Sequence, residues 1–278
     1  MNNIEITCPR CACLIGSFRF NLTDILEKCK NCGFIIDRIH GIPNLRDGNS
    51  ENFNMLGNEA KLQNYNSAKL KIPFIDNALK SGLPILEIGG GADICDTSNL
   101  IKTDAFLYST EIDFIADVHA LPFADEMFSY VYSLAVFEHL HSPWIAADEI
   151  YRVLKPGGEV YVLTAFTQHM HGYPDHYFNM TTSGLKRIFS NFDVQYSKPS
   201  IFSSFNQLSY IFMDFVNFVN DASLSKKHEI VKNRLQDSVS IFCDSVEKLD
   251  EVLLNENNIS DSLNKVAPSI ELLALKKY

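Results

Sequence analysis

Cys8-Pro-Arg-Cys11 and Cys29-Lys-Asn-Cys32 are two C-x-x-C knuckles within the first 50 residues. Four thiolates at this spacing can surround a tetrahedral zinc ion, and so short a segment buries too little apolar area to fold without such a staple. Cys8, Cys11, Cys29 and Cys32 are the expected zinc ligands; Cys13 is a spare and reads as a packing residue. A second chemistry-bearing stretch is Pro84 to Gly91, P-I-L-E-I-G-G-G. Its apolar run reads as a buried parallel strand with Glu87 at the carboxyl end, where open α/β sheets bind ligands. The glycines then allow bare backbone to approach a ligand closely. By itself such a turn fits a dinucleotide site, a phosphate loop or a purely structural turn. The NAD pattern would need glycine at 94, where Ile94 stands, and the G-K-[ST] of a P-loop is absent. The third feature is histidine. His139, His141, His169, His171 and His176 are five of the eight, and they fall at two neighbouring strand ends.

These groups need elements to position them. Ile4 to Thr7 and Phe34 to Ile39 read as strands flanking the knuckles, and Arg46 to Asn58 as a linker. Glu59 to Ser81 reads as a helix with a break or kink at Pro73. Strands are expected at Ile85–Ile88, Ala105–Thr110, Tyr130–Leu134 and Glu159–Ala165, with a helix over Pro143–Leu154. This alternation implies a parallel sheet covered on both faces. Farther on, Phe205, Leu208, Phe212, Phe215 and Val219 recur at helical spacing, as do Val231, Leu235, Val239, Phe242 and Val246. They predict two amphipathic helices, paired on each other and the sheet or forming a dimer face or substrate lid. Ser269 to Lys276 reads as a closing strand.

Three stretches, in order after the acid-and-glycine turn, carry a family resemblance. Asp113 to Phe123 reads D-F-I-A-D-V-H-A-L-P-F, Phe128 to Leu140 reads F-S-Y-V-Y-S-L-A-V-F-E-H-L, and Glu149 to Gly158 reads E-I-Y-R-V-L-K-P-G-G. Over about half the chain they resemble class I S-adenosylmethionine-dependent methyltransferases of the type 11 group. The two knuckles and the exit Gly41-Ile42-Pro43-Asn44-Leu45 resemble the Trm112-like zinc ribbon that precedes some bacterial methyltransferase domains. The resemblance implies an α/β, Rossmann-like sheet of seven strands, the last antiparallel, with residues 59–200 and 266–278 forming the methyltransferase domain. Residues 1–48 would be the ribbon and residues 201–265 a helical insertion before the last strand.

It also implies site residues. Glu87 would take the ammonium of S-adenosylmethionine and Gly89, Gly90 and Gly91 its amino-acid tail. Glu111, as the acid ending the second strand, would accept the ribose hydroxyls, with Asp113 as its substitute. Asp117 and the Val118 amide would hold the adenine edge, and Ser133 completes the cofactor set. His139 and His176 are the candidate catalytic residues, needed only if the acceptor must lose a proton. Alternatively His139 shapes the pocket, and His169, His171 and His176 hold a second metal. Two departures stand out: Asp93 occupies the family's third glycine position, and Asp93 to Asp104 is short and polar where a first helix runs. Gly172 to Leu185 resembles a segment that caps the substrate side, often D-Y-Y-R-x-T at its centre. Here His176 and Asn179 replace its acid and arginine, which argues against assuming an anionic acceptor.

Composition bounds the rest. A hydrophobic fraction of 46% fits a folded globular protein. Met1 to Thr7 carries no signal-peptide features and no apolar run approaches a membrane span, so a cytoplasmic protein with reduced thiols is expected. The net charge of -10 argues against a sequence-independent grip on nucleic acid, although residues 1–50, with 6 basic against 5 acidic side chains, are close to neutral. A small-molecule, sugar or lipid-headgroup acceptor is the expected partner. An RNA base approached through the ribbon is the alternative, as is a non-catalytic protein-binding module, and the helical insertion could form a homodimer.

Overall fold

The computed structural model describes residues 3–19, 22–47, 72–90, 98–107, 112–168, 170–171, 175–200 and 269–278. The expected linker beyond Asp47, the first part of the helix from Glu59 and the helical insertion lie outside these residues, as do Gly91, Glu111 and His169.

The N-terminal module is an antiparallel meander of β1 (Ile4–Thr7), β2 (Leu14–Arg19) and β3 (Leu22–Ile25), followed by a short hairpin of β4 (Arg38–Ile39) and β5 (Ile42–Pro43). His40 and Gly41, both at positive φ, make the two-residue turn between β4 and β5, the geometry that matches strand twist. The strand expected over Phe34–Ile39 is reduced to an isolated bridge from Ile35 to Lys28 and to β4. The backbone there is used up by the knuckle: Cys29 N–H donates to Phe34 O and Gly33 N–H to Cys29 O.

A seven-stranded sheet forms the remainder, in the order β11-β12-β10-β9-β6-β7-β8. Its strands are β6 (Ile85–Ile88), β7 (Leu100–Asp104), β8 (Phe114–Ile115), β9 (Phe128–Leu134), β10 (Leu154–Ala165), β11 (Asp193–Pro199) and β12 (Ser269–Leu275). β12 runs antiparallel to both β10 and β11, as expected for the closing strand. Alternate residues of the central strands serve opposite faces. Ile85, Tyr132, Tyr161 and Leu163 pack with Ala78 of helix α1 (Pro73–Ser81), whereas Leu86, Val131, Val160 and Val162 pack with Ile150 of α2 (Pro143–Val153) and Leu185 of α3 (Thr182–Ile188). Pro73 sits in the first turn of α1, where its missing N–H has no intrahelical partner to lose, so it starts the described helix instead of kinking one.

The second strand differs from expectation. It is Leu100–Asp104, and the chain bends at 105–106, where Ala105–Thr110 was expected to be extended. Asp104 Oδ1 accepts the Phe106 N–H at 2.8 Å, a side-chain turn that ends the strand. Lys102, Thr103 and Asp104 are polar yet buried, which hid the strand from its hydrophobic pattern.

The cysteine module is welded to this sheet. Thr7 N–H donates to Pro122 O, Ala124 N–H to Glu5 O, and Leu45 N–H to Ile115 O. Phe18 packs edge-on to Phe114 at 5.7 Å, and Ile6, Cys8 and Ile15 share one continuous core with Phe114, Phe123 and Phe128. Arg152 locks the segment beneath, donating to Leu121 O, Phe123 O and the Glu149 and Asp125 carboxylates. Among the described residues no helix is long and apolar enough to cross a membrane.

Candidate functional site

The four knuckle thiols converge. Cys8 Sγ lies 3.5 Å from Cys32 Sγ and Cys11 Sγ lies 3.6 Å from Cys29 Sγ, and all four ligand atoms fall within 4.8 Å of one another. Tetrahedral zinc with bonds of about 2.3 Å needs sulfur separations of about 3.8 Å, so the donor set fits the ion. Burial pushes the Cys8 thiol up to about 12, whereas a hydrogen bond from Asn31 leads in bringing the Cys11 thiol down to about 6. A cation at their centre would hold both as thiolates. Cys13 is exposed and stands outside the cluster.

The glycine turn lies at the carboxyl end of β6, in the middle of the sheet. Gly89 has φ +79°, and a Cβ built there would collide with Cγ2 of Val136. The N–H groups of Gly89 and Gly90 both donate to Thr103 O, at 2.8 and 3.0 Å, which ties the turn to β7. Glu87 and Ser133, on neighbouring strands one register step apart, are buried. The Ser133 hydroxyl has no hydrogen-bond partner among the described residues, an orphaned polar atom that a ligand would satisfy. Because β7 ends at Asp104, this carboxylate stands at the strand end; Glu111 lies outside the described residues.

Asp117 caps the short 3-10 turn Val118–Ala120. Its Oδ1 accepts from the His119 N–H at 2.9 Å and from His119 Nδ1 at 2.7 Å. Burial opposes ionisation, yet the His119 hydrogen bonds outweigh it and hold the Asp117 carboxyl below its ordinary value. His119 stacks on His141 at 4.2 Å, and burial followed by the charge of His119 keeps His141 below the usual imidazole range.

Next to this end, the loops after β9 and β10 bring the other histidines together. His139 Nδ1 donates to Asp175 O at 2.7 Å, since a carbonyl can only accept. The His139 and His171 rings are 5.4 Å apart, and the His171 and His176 rings 4.5 Å. His176 is spoken for: its Nδ1 accepts the His171 N–H at 3.3 Å and its Nε2 donates to Phe178 O at 3.2 Å. Burial, then the neighbouring His171, lowers its pKa. Its described partners make it a brace for the loop.

Residues 92–162 match the methyltransferase domain family. No curated protein matches the chain in sequence. Among solved structures the chain is similar to the Haemonchus contortus phosphoethanolamine N-methyltransferase 2 in complex with phosphomonomethylethanolamine and S-adenosylhomocysteine, at 14% identity over 71% of this chain and 50% of that one, TM-score 0.40. It thus spans about half the length of that relative. It is also similar to the Haloferax volcanii complex of the Trm112 methyltransferase activator with a candidate methyltransferase, at 14% identity over 74% of this chain and 89% of that one, TM-score 0.42. An S-adenosylmethionine-dependent methyltransferase from Mesorhizobium loti aligns at 11% identity over 72% of this chain and 96% of that one, TM-score 0.39. Likenesses of this size carry no argument about chemistry.

Within the methyltransferase-domain match, the expected residues Asp117, Val118, Ser133 and His139 are described, and Glu87, Gly89 and Gly90 lie just before it. Sequence reasoning passed over Asp104, taken as part of the crossover, and Glu138. Glu138 is fully buried directly after the fourth sheet strand, and an acid beside a histidine at a strand end was the signal that could have flagged it.

Proposed function

We propose that the protein is an S-adenosylmethionine-dependent methyltransferase acting on a small-molecule acceptor such as a metabolite, sugar or lipid headgroup. The observation that carries the reading is the turn at the carboxyl end of β6, where a left-handed Gly89 packs against Val136 and the buried Ser133 hydroxyl on the next strand has no hydrogen-bond partner among the described residues. The family match over residues 92–162 supports it.

In this reading Gly89 and Gly90 admit the amino-acid tail of the cofactor, with Glu87 facing its ammonium. Asp104 takes the role that the family resemblance implied for Glu111 and accepts the ribose hydroxyls. Val118 and Asp117 line the adenine end, with Asp117 oriented by His119. Ser133 satisfies its hydroxyl on the bound ligand. The cofactor supplies an electrophilic methyl group on a sulfonium; the protein's task is to hold a nucleophile in line with it and to exclude water. The welded cysteine module leaves β1 and the 121–124 segment bonded to each other, which suits a fixed wall better than a swinging RNA arm.

The test is calorimetric titration of the purified chain with S-adenosylhomocysteine, followed by incubation with methyl-labelled cofactor and metabolite, lipid or RNA pools. Micromolar binding and label in the small-molecule pool are expected. Absence of binding by folded protein would overturn the reading in favour of a non-catalytic module, and label in RNA alone would replace the acceptor class.

A further inference from the structure

Glu138 is fully buried, and one of its carboxylate oxygens, Oε1, has no hydrogen-bond partner among the described residues. The other oxygen accepts from Thr164 Oγ1 at 2.8 Å, which fixes the plane of the group. A buried ionised carboxylate with an unmatched oxygen is costly unless a cation or donor faces it. What surrounds it is a pair of imidazoles: ligand atoms of Glu138, His139 and His171 all lie within 4.8 Å of one another.

The surroundings are already arranged as a metal site requires. His139 donates Nδ1–H to the Asp175 carbonyl, so its Nε2 carries the lone pair. Metal-binding histidines are typically oriented by such a bond to a backbone carbonyl. His176 grips the backbone N–H of His171 and is itself anchored on Phe178 O, which holds the second imidazole in register. The Glu138 carbonyl accepts from Tyr177 and Phe178 N–H, so both ends of the loop are tied to the residue that supplies the carboxylate.

The geometry points to a divalent transition-metal site formed by Glu138, His139 and His171, separate from the four cysteines. Two imidazoles and one carboxylate suit manganese, iron, cobalt, nickel or zinc better than magnesium or calcium. Three protein ligands leave coordination positions open for an exogenous donor, unlike the closed cysteine set. Resting on the methyltransferase reading, the open positions take an oxygen of the acceptor, because Glu138 lies in the turn that follows β9, the strand carrying Ser133, and Thr164 lies near the carboxyl end of the neighbouring β10.

The experiment is elemental analysis and cobalt(II) titration of the full chain, with Glu138→Gln, His171→Ala and Cys29→Ser as variants and circular dichroism as the folding check. The wild type is expected to bind two equivalents, one giving the intense near-ultraviolet thiolate bands and one giving only weak visible bands. Glu138→Gln and His171→Ala each weaken the second equivalent at least ~10-fold and leave the thiolate-bound one intact. Saturation of the wild type at one thiolate-bound equivalent overturns the proposal, as does survival of the second equivalent in both variants. S-adenosylhomocysteine titration on the same samples separates the two readings: a second metal without nucleoside binding keeps this site and refutes the acceptor role, while nucleoside binding with one metal refutes the site alone.

Discussion

Gly89 lies against Val136 with no room for a side chain between them: a Cβ at Gly89 would overlap Cγ2 of Val136. The two residues follow adjacent parallel strands, β6 and β9, so their contact closes the sheet's carboxyl end at its centre. Two constraints meet at one position, a left-handed backbone and a wall of van der Waals contact. Only glycine satisfies both.

Gly89→Ala is therefore expected to abolish S-adenosylhomocysteine binding, weakening it by at least ~100-fold, and to lower stability by about 2–4 kcal/mol. Gly82 provides the control. It has φ +70° but nothing within 4 Å of a built Cβ, so Gly82→Ala meets only the backbone penalty of about 1 kcal/mol and leaves binding unchanged. Urea unfolding beside calorimetric titration of both variants checks the contrast; equal behaviour of the two would mean that Val136 does not wall the pocket.

Cys29→Ser should remove one equivalent of zinc and lower the melting temperature by about 10 °C or more, since metal binding here is folding free energy. The loss should reach the sheet. Cys8 and Cys29 belong to the same core as Phe114 and Phe123, so scanning calorimetry is expected to show a single shifted transition. A separate early transition at unchanged main melting would show that the module folds on its own.

Asp113 is held up to about 6 by burial, against opposing contributions from the Lys102 N–H, which its Oδ2 accepts at 2.8 Å, and from the Lys102 charge. The unfolded carboxyl, with a pKa near 4, releases its proton first as pH rises. The folded state then binds more protons than the unfolded one, so stability declines between about pH 4 and about pH 6, by about 3 kcal/mol in total. Asp113→Asn keeps an acceptor for the Lys102 N–H and should flatten this decline. Urea denaturation from pH 4 to pH 8 on both proteins measures it; parallel curves would show that Asp113 ionises normally.

The elements with strong local patterns were legible. The knuckles announced four converging thiols, and Pro143 with its apolar stripe marked α2 to within one residue. β12 was readable from a run of seven residues that is almost entirely buried. β7 was not, because a strand carrying Lys102, Thr103 and Asp104 has no apolar pattern to read even though every residue is buried. β11 escaped for the opposite reason: it is an edge strand with alternating exposure and polar Gln195, Ser197 and Lys198. The histidine cluster was visible only as proximity in sequence. That His176 braces and that Glu138 carries the orphaned oxygen depends on backbone contacts that no spacing encodes.

The misplaced second strand also moves the acid that should face the ribose, and the two assignments make opposite predictions. Asp104 ends β7 beside the glycine turn, which hangs from Thr103 O through two N–H groups, so its carboxylate is one residue from the cradle. Asp104→Asn retains an oxygen for the Phe106 N–H, which preserves the turn, but cannot accept from both ribose hydroxyls as a carboxylate does. A charged hydrogen-bond pair is worth about 1.5–3 kcal/mol, so S-adenosylhomocysteine affinity should fall by ~10–100-fold. Glu111→Gln should leave it within about 2-fold, as expected of a residue that makes no charged contact with the ligand. Titrating adenosine alone sharpens the result, because it retains the ribose and lacks the amino-acid tail: Asp104→Asn should weaken adenosine by the same factor. If Glu111→Gln is the variant that loses affinity for both ligands, the ribose is held beyond the strand end and Asp104 serves only to turn the chain.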